Sequence, residues 1–243
     1  MELSFLGSSN AFASEGRYWS SFIVDGRYQF DAPPTLLPQL KRLNVPLDEI
    51  EVVFLSHLHG DHFVGLPFLL LEYVYMTPRT KPLYIVCPPD REEWIEDFCR
   101  RVYPNTGNDA GYERIYVYAE PGVEKQAGSV TFESFPMNHV KKDGLRAFGY
   151  RVKIGDHTVS YTGDTMPCDE TIPLGDGADV YVVDCTYPDE SGPEHMGLQD
   201  IKQIREKITS ETTIILTHMK TRPNVNGLAN TLVAEDLKTF TFD

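Results

Sequence analysis

Three histidines and an aspartate crowd six consecutive positions of the chain: His57, His59, Asp61 and His62, within "SHLHGDHFVGL" at residues 56–66. Imidazole nitrogens and carboxylate oxygens together suit Zn²⁺, Mn²⁺ or Fe²⁺ better than Mg²⁺ or Ca²⁺. In an extended or turning segment alternate side chains project to the same side. His57 and His59 can therefore share one ion, while Asp61 and His62 turn towards a second. The segment follows the apolar run Val52-Val53-Phe54-Leu55. A merely solvated histidine cluster has no reason to sit there, so metal binding is the better reading.

Such a site needs further donors. His139 follows "VTFESFPMN", Asp164 follows "HTVSYTG" and His218 follows "TIILT". With the opening segment, four separate strands each end in a candidate ligand, and strand-end loops are where a rigid sheet can aim side chains at one point. Asp164 has a further use, because a carboxylate can bridge two ions and an imidazole does so poorly. His157, inside "KIGDHTVSY", reads as structural or exposed.

The elements that must position these residues are legible in outline. "LSFLG", "SFIVDG" and "YQFDA" are short strands punctuated by glycine or aspartate. "TLLPQLKRL" (35–43) carries apolar residues at helical spacing, "EVVFLSH" (51–57) is a buried strand, and "VGLPFLLLEYVY" (64–75) is a buried helix. "PPDREEWIEDFCRRV" (88–102) reads as an amphipathic helix with Asp90 and Glu93 as its N-terminal capping pair and Trp94, Ile95, Phe98 and Val102 on one face. "RIYVYAE", "VTFESFP", "FGYRVKIG", "HTVSYTG", "VYVVDC" and "TIILTH" are further strands, and "LQDIKQIREKI" (198–208) is a last helix. Many strands interleaved with helices predict an α/β domain of sheets covered by helices, spanning residues 1–243.

Composition narrows the function classes. The chain has 243 residues, 41% of them hydrophobic, and no run of the ~20 apolar residues a membrane span requires. The start, MELSFLGSSN, lacks a basic segment followed by an apolar one. Cys87, Cys99, Cys168 and Cys185 form no C-x-x-C pair and read as reduced thiols, which suits a cytoplasmic protein. The net charge is −14. A protein gripping a polynucleotide usually presents a basic face, and here the basic pairs Lys41-Arg42, Arg100-Arg101 and Lys141-Lys142 are short. Long nucleic acid is therefore disfavoured as a substrate.

The pattern H-x-H-x-D-H at 57–62, with His139, Asp164 in "YTGDT" and His218 in "LTH", resembles the metallo-β-lactamase-fold hydrolase superfamily. The opening "LGSSNAF" and the run "FDAPPTLLPQLKRLNVPLDEIEVVFLSHLHGDH" are similar to its ribonuclease Z and small phosphodiesterase branch. The resemblance implies a four-layer αββα sandwich with two divalent metal ions at one edge, zinc first, manganese or iron as substitutes. It implies that His57, His59 and His139 hold one ion, that Asp61, His62 and His218 hold the other, and that Asp164 lies between. Two ions about 3.5–4 Å apart can lower the pKa of a bridging water towards neutrality. Di-iron relatives typically carry glutamate where His59 stands, and mononuclear sulfur dioxygenases do not use the residue equivalent to His62. The complete set favours a binuclear hydrolase.

The same branch implies a catalytic role for His195, at the start of a helix, as phosphate contact or proton donor, and for Asp61 in orienting the attacking water. The branch more often has Ser or Thr soon after that histidine, whereas this chain reads "EHMGLQD". Ribonuclease Z commonly inserts a tRNA-gripping arm between the residues equivalent to His139 and Asp164, and those two are only 25 positions apart here. "LTHMKTRPN" also replaces an aromatic-rich segment, with Arg222 as a candidate anion contact. The first expectation is a phosphodiesterase using a metal-bridging hydroxide on a small or short-chain phosphodiester. The alternatives are a lactone or thioester hydrolase on the same metals, a ribonuclease Z without its arm, and a non-catalytic metal-binding protein. Homodimers are common in the branch.

Overall fold

A computed structural model describes residues 1–139 and 146–243. The basic pair Lys141-Lys142 lies outside the described residues. The strands build two seven-stranded sheets. The first contains β1 (Glu2–Gly7), β2 (Ser21–Val24), β3 (Tyr28–Phe30), β4 (Val52–Phe54), β5 (Leu83–Cys87) and β6 (Arg114–Tyr118). The second contains β7 (Lys125–Ala127), β8 (Val130–Met137), β9 (Ala147–Ile154), β10 (His157–Tyr161), β11 (Val180–Asp184), β12 (Thr213–Thr217) and β13 (Thr231–Val233). A last strand, β14 (Thr239–Thr241), returns to pair with β1 in the first sheet. The two sheets run β14-β1-β2-β3-β4-β5-β6 and β13-β12-β11-β10-β9-β8-β7.

The sequence explains the layering. Strands β3 to β6 are parallel, as are β10 to β13. Parallel strands are covered on both faces and so are apolar throughout. In β4, Val52 and Phe54 point between the sheets while Val53 points outward to a helix layer. In β11, Val180 and Val182 point inward while Tyr181 and Val183 point outward. Outside the first sheet pack α1 (Leu36–Arg42), the short α2 (Gly60–Phe63), α3 (Leu66–Tyr75) and α4 (Glu92–Val102). Outside the second pack α5 (Thr171–Gly175) and α6 (Leu198–Lys207), whose Leu198, Ile201 and Ile204 are buried. The order of layers is helix, sheet, sheet, helix.

Between the sheets lies an aromatic column. Phe22 stacks on Phe30 at 4.5 Å, and Phe30 on Phe54 at 4.9 Å, all from the first sheet. Tyr161 from the second sheet meets Phe22 and Phe30 edge-on at 5.3 and 5.9 Å. Tyr150 packs on Phe54 at 5.4 Å and donates its hydroxyl to the Leu55 carbonyl at 2.8 Å. These contacts fix one sheet against the other where β4 and β10 end.

One capping expectation is corrected. Helix α4 begins at Glu92, and Asp90 sits before it at a left-handed φ of 62°, so no side chain caps the helix. On its face Ile95 and Cys99 are buried, whereas Trp94 and Val102 are exposed. Trp94 instead lies flat on Phe98 at 5.6 Å. Among the described residues no helix is long and apolar enough to cross a membrane.

Phe30→Ala should destabilise the fold by about 3–5 kcal/mol, because it removes the middle ring of the column and leaves a cavity. Phe30→Leu should cost far less. Chemical denaturation of both variants measures the difference.

Candidate metal centre

Each donor-bearing segment leaves a strand at the same edge. Residues Ser56 to His59 follow β4, and α2 then carries Asp61 and His62. His139 follows β8, Asp164 follows β10 and His218 follows β12. Two backbone features sharpen the aim. Gly163 has a φ of +59°, and a Cβ there would stand 2.6 Å from the Ser56 Cβ, so only glycine lets β10 turn Asp164 towards β4. His218 itself is left-handed, with a φ of 59°. It is held by Met219 N–H to the Ser8 carbonyl, Lys220 N–H to the Thr186 carbonyl, and the Thr186 hydroxyl near its own carbonyl at 2.9 Å.

All seven residues converge. Potential donor atoms of His57, His59 and His139 lie within 4.8 Å of one another, and so do those of Asp61, His62, Asp164 and His218. His59 Nδ1 is 3.3 Å from His139 Nε2. Asp61 Oδ2 is 3.3 Å from Nε2 of both His62 and His218. Asp164 joins the groups: its Oδ2 is 3.2 Å from His62 Nε2, 3.3 Å from His218 Nε2, and 3.9 Å from Nε2 of both His57 and His139.

The donor set fits divalent cations on its own terms. His57 Nε2, His62 Nε2 and Asp164 Oδ1 are buried without any hydrogen-bond partner. Buried polar atoms are ordinarily satisfied, and a cation is the group that would satisfy two imidazole lone pairs and a carboxylate together. Burial pushes the His57 and His139 imidazoles below the usual histidine range, which keeps their lone pairs free. Burial opposes the charge on Asp164, but the surrounding His218, His62 and His57 hold its carboxyl well below the usual carboxylate range.

A second ring of residues fixes which nitrogen faces inward. His62 Nδ1 is 2.7 Å from Asp31 Oδ2, and the fully buried Asp31 also accepts the Ser56 N–H at 2.8 Å, the Ser56 hydroxyl at 2.9 Å and the Tyr161 hydroxyl at 2.7 Å. His139 Nδ1 donates to the Glu194 carbonyl at 3.1 Å. His218 Nδ1 donates to the Thr186 hydroxyl at 2.9 Å, which donates in turn to Asp184 at 2.8 Å. With Nδ1–H turned outward, the Nε2 lone pair of each ring is presented to the centre.

His195 also reaches the cluster, with Nδ1 2.9 Å from Asp184 Oδ2 and 4.0 Å from Asp164 Oδ2. Its ring centroid is 5.0 Å from that of His218 and 5.2 Å from that of His139. Burial works against its charged form, but the hydrogen bond and charge of Asp184, with Asp164 behind, raise it to about 9. His157 lies elsewhere, 3.9 Å from Asp179 at the start of β10. Arg222 is paired with Glu235 at 3.0 Å and lines a different depression, so it does not stand free to meet an anion at the centre. Sequence reasoning missed Asp31, Asp184 and Thr186. The two aspartates carried the signal that marked Asp164, an acidic residue closing an apolar strand, in "YQFDA" and "VYVVDC".

The family described as Anti-Pycsar protein Apyc1 matches residues 1–232. The ribonuclease Z of Staphylococcus carnosus (strain TM300) is 22% identical over 294 residues, covering 94% of this chain and 91% of that protein. Among solved structures, the short form of human tRNase Z superposes with a TM-score of 0.78 at 20% identity, covering 99% of each chain. The metallo-β-lactamase-fold protein YhfI from Bacillus subtilis superposes with a TM-score of 0.76 at 20% identity, again covering 99% of each chain.

Two outcomes follow. Asp31→Ala should weaken binding of a divalent metal about 10–100-fold, the usual cost of losing the outer hydrogen-bond partner of a histidine in a metal site; chelator competition measures it. In metal-stripped protein, His195 followed by NMR should stay protonated through neutral pH and lose its proton only near 9. The stability it lends is therefore present below the ordinary histidine range and lost as pH rises through that value. Asp184→Asn should bring the titration back towards the ordinary range.

Proposed function

The chain belongs to the Anti-Pycsar protein Apyc1 family and is a metal-dependent hydrolase of the metallo-β-lactamase fold; from that premise we propose that it is a binuclear zinc phosphodiesterase acting on a small or short-chain phosphodiester. His57, His59 and His139 would hold one ion, Asp61, His62 and His218 the other, and Asp164 would touch both. Two divalent ions held there supply activation of water and compensation of the charge that develops during displacement at phosphorus. Zinc leads because the set is rich in imidazole, with manganese and iron as substitutes.

The observation that carries the phosphodiester reading is His195. Its Nδ1 is tied to Asp184, which leaves Nε2 free for the substrate. A proton donor beside the cluster serves a leaving alkoxide on phosphorus, whereas a carbonyl polarised by the same ions has less need of one. In this mechanism His195 contacts a phosphoryl oxygen and delivers its Nε2 proton to the leaving oxygen. Asp184 keeps Nδ1 protonated and the ring oriented. Asp61, 11% exposed at the mouth of the cluster, accepts a hydrogen bond from the attacking water and orients it.

Two features support a small substrate. His139 and Asp164 are only 25 positions apart, and strands β9 and β10 take up just over half of that interval, too little remaining for a long protruding arm. The net charge of −14 also opposes a polyanion. The second reading, tRNA 3′ processing, draws on the ribonuclease Z from S. carnosus, which this chain covers over 91% of its length.

Metal quantification on purified protein, paired with a panel of phosphodiesters, a lactone, a thioester and a tRNA precursor, tests the reading. We expect close to two zinc ions per chain and fastest turnover of a small diester. Turnover of only the carbon esters, or of only the tRNA precursor, sinks it; metal binding with no turnover favours a non-catalytic protein. His195→Ala should lower kcat/KM about 10²–10⁴-fold on a diester with an alkoxide leaving group, with zinc content unchanged.

A further inference from the structure

A cavity of about 340 Å³ borders His195 and His218 and is lined also by Asn10, Phe12, Tyr187 and Lys220. Phe12 is 87% exposed, more than any other large hydrophobic side chain among the described residues. Scattered apolar side chains on a surface are ordinary, but two things separate Phe12 from them. It stands at the rim of a cavity that reaches the candidate catalytic imidazole. Its loop backbone is also held stiff by hydrogen bonds, which fixes where the ring is attached at that rim.

The stiffness has named causes. Asn10 Oδ1 accepts from the Phe12 N–H at 3.3 Å and from the Ser14 hydroxyl at 2.9 Å. The Trp19 indole N–H donates to the Ala11 carbonyl at 3.0 Å, and Ala13 N–H donates to the Asn10 carbonyl at 3.0 Å. Ala13 and Glu15 both take left-handed φ values, 47° and 60°, which turn the chain tightly beneath the ring. Elsewhere on the cavity wall the Tyr187 ring is seated directly against Gly192, where a Cβ would come within 2.4 Å of it. Lys220 is exposed, and its ammonium makes no ion pair among the described residues, although its backbone is anchored to Thr186 and Arg17.

The cavity therefore offers a proton donor at one end, aromatic surface along its side and a cation. Aromatic rings take up the flat face of a heterocycle regardless of its identity, and a lysine serves an anion as a point charge. We propose that Phe12 is a specificity-determining residue whose ring is the platform on which a planar heteroaromatic group of the substrate stacks. The inference rests on the phosphodiesterase reading for the reaction itself and names the part of the substrate that this chain recognises.

Binding of 2-aminopurine riboside 5′-monophosphate, a phosphate whose base loses fluorescence on stacking, tests the platform without requiring turnover. The zinc-loaded wild type should quench the probe. Phe12→Ala should abolish the quench and weaken Kd about tenfold. Phe12→Trp should restore both, and ribose 5-phosphate should compete equally in all three. Because the side chain is exposed, melting temperatures should coincide. Absence of quenching by the wild type, or equal Kd and quench in Phe12→Ala, overturns the proposal. So does sedimentation showing that Phe12→Ala turns a dimer into a monomer, since the ring would then be a contact between copies. A wild type that quenches the probe through Phe12 yet hydrolyses no diester defeats the phosphodiesterase reading alone.

Discussion

One carboxylate organises this molecule's chemistry. Asp164 is buried, and a single oxygen of it lies 3.2–3.9 Å from four imidazoles contributed by three other strand ends. Taking an ionised carboxylate out of water is costly unless opposite charge and hydrogen bonds compensate it. Its second oxygen has no partner, and neither do the facing nitrogens of His57 and His62. The protein alone leaves this knot of acceptors unsatisfied. Everything around it is arranged so that cations can complete what the chain begins.

That arrangement requires the two sheets to be rigid relative to each other, since His57 to His62 belong to one and His139, Asp164 and His218 to the other. The Asp31 carboxylate is the closest link between rigidity and chemistry. It receives the Tyr161 hydroxyl from across the interface and, on the same oxygen, orients His62. The ring of Tyr161 meanwhile completes the aromatic column between the sheets. A shift of one sheet against the other would therefore disturb core packing, the outer hydrogen bond and the ligand cluster together.

How much of this was legible depended on whether the signal was local. The H-x-H-x-D-H segment announces itself because four donors share one turn. His139, Asp164 and His218 could be picked out as polar residues closing apolar strands. Asp31 and Asp184 close apolar strands equally clearly, yet nothing local ties either to a histidine 31 or 11 residues away; the pairing exists only after β3 meets β4 and after β11 delivers Asp184 beneath His195. The layered architecture rested on resemblance, while helices α1 and α6 followed from periodicity and α3 from an apolar run. The capping pair assigned to α4 failed because a left-handed Asp90 turns the chain before the helix begins, a backbone conformation that sequence spacing does not encode. Arg222 is a surface charge paired with Glu235, a partner that only the fold brings beside it.

The outer partners also distinguish two neighbouring histidines, the buried His218 and the partly exposed His195. His218 and His195 are both connected to Asp184, but by different routes. His218 reaches it through the Thr186 hydroxyl, which stands between Nδ1 and the carboxylate. His195 touches the carboxylate directly, and that contact favours the charged ring, which has a proton to give. One buried aspartate thus meets one imidazole through a hydroxyl and its neighbour directly. The interposed hydroxyl is what separates the two contacts.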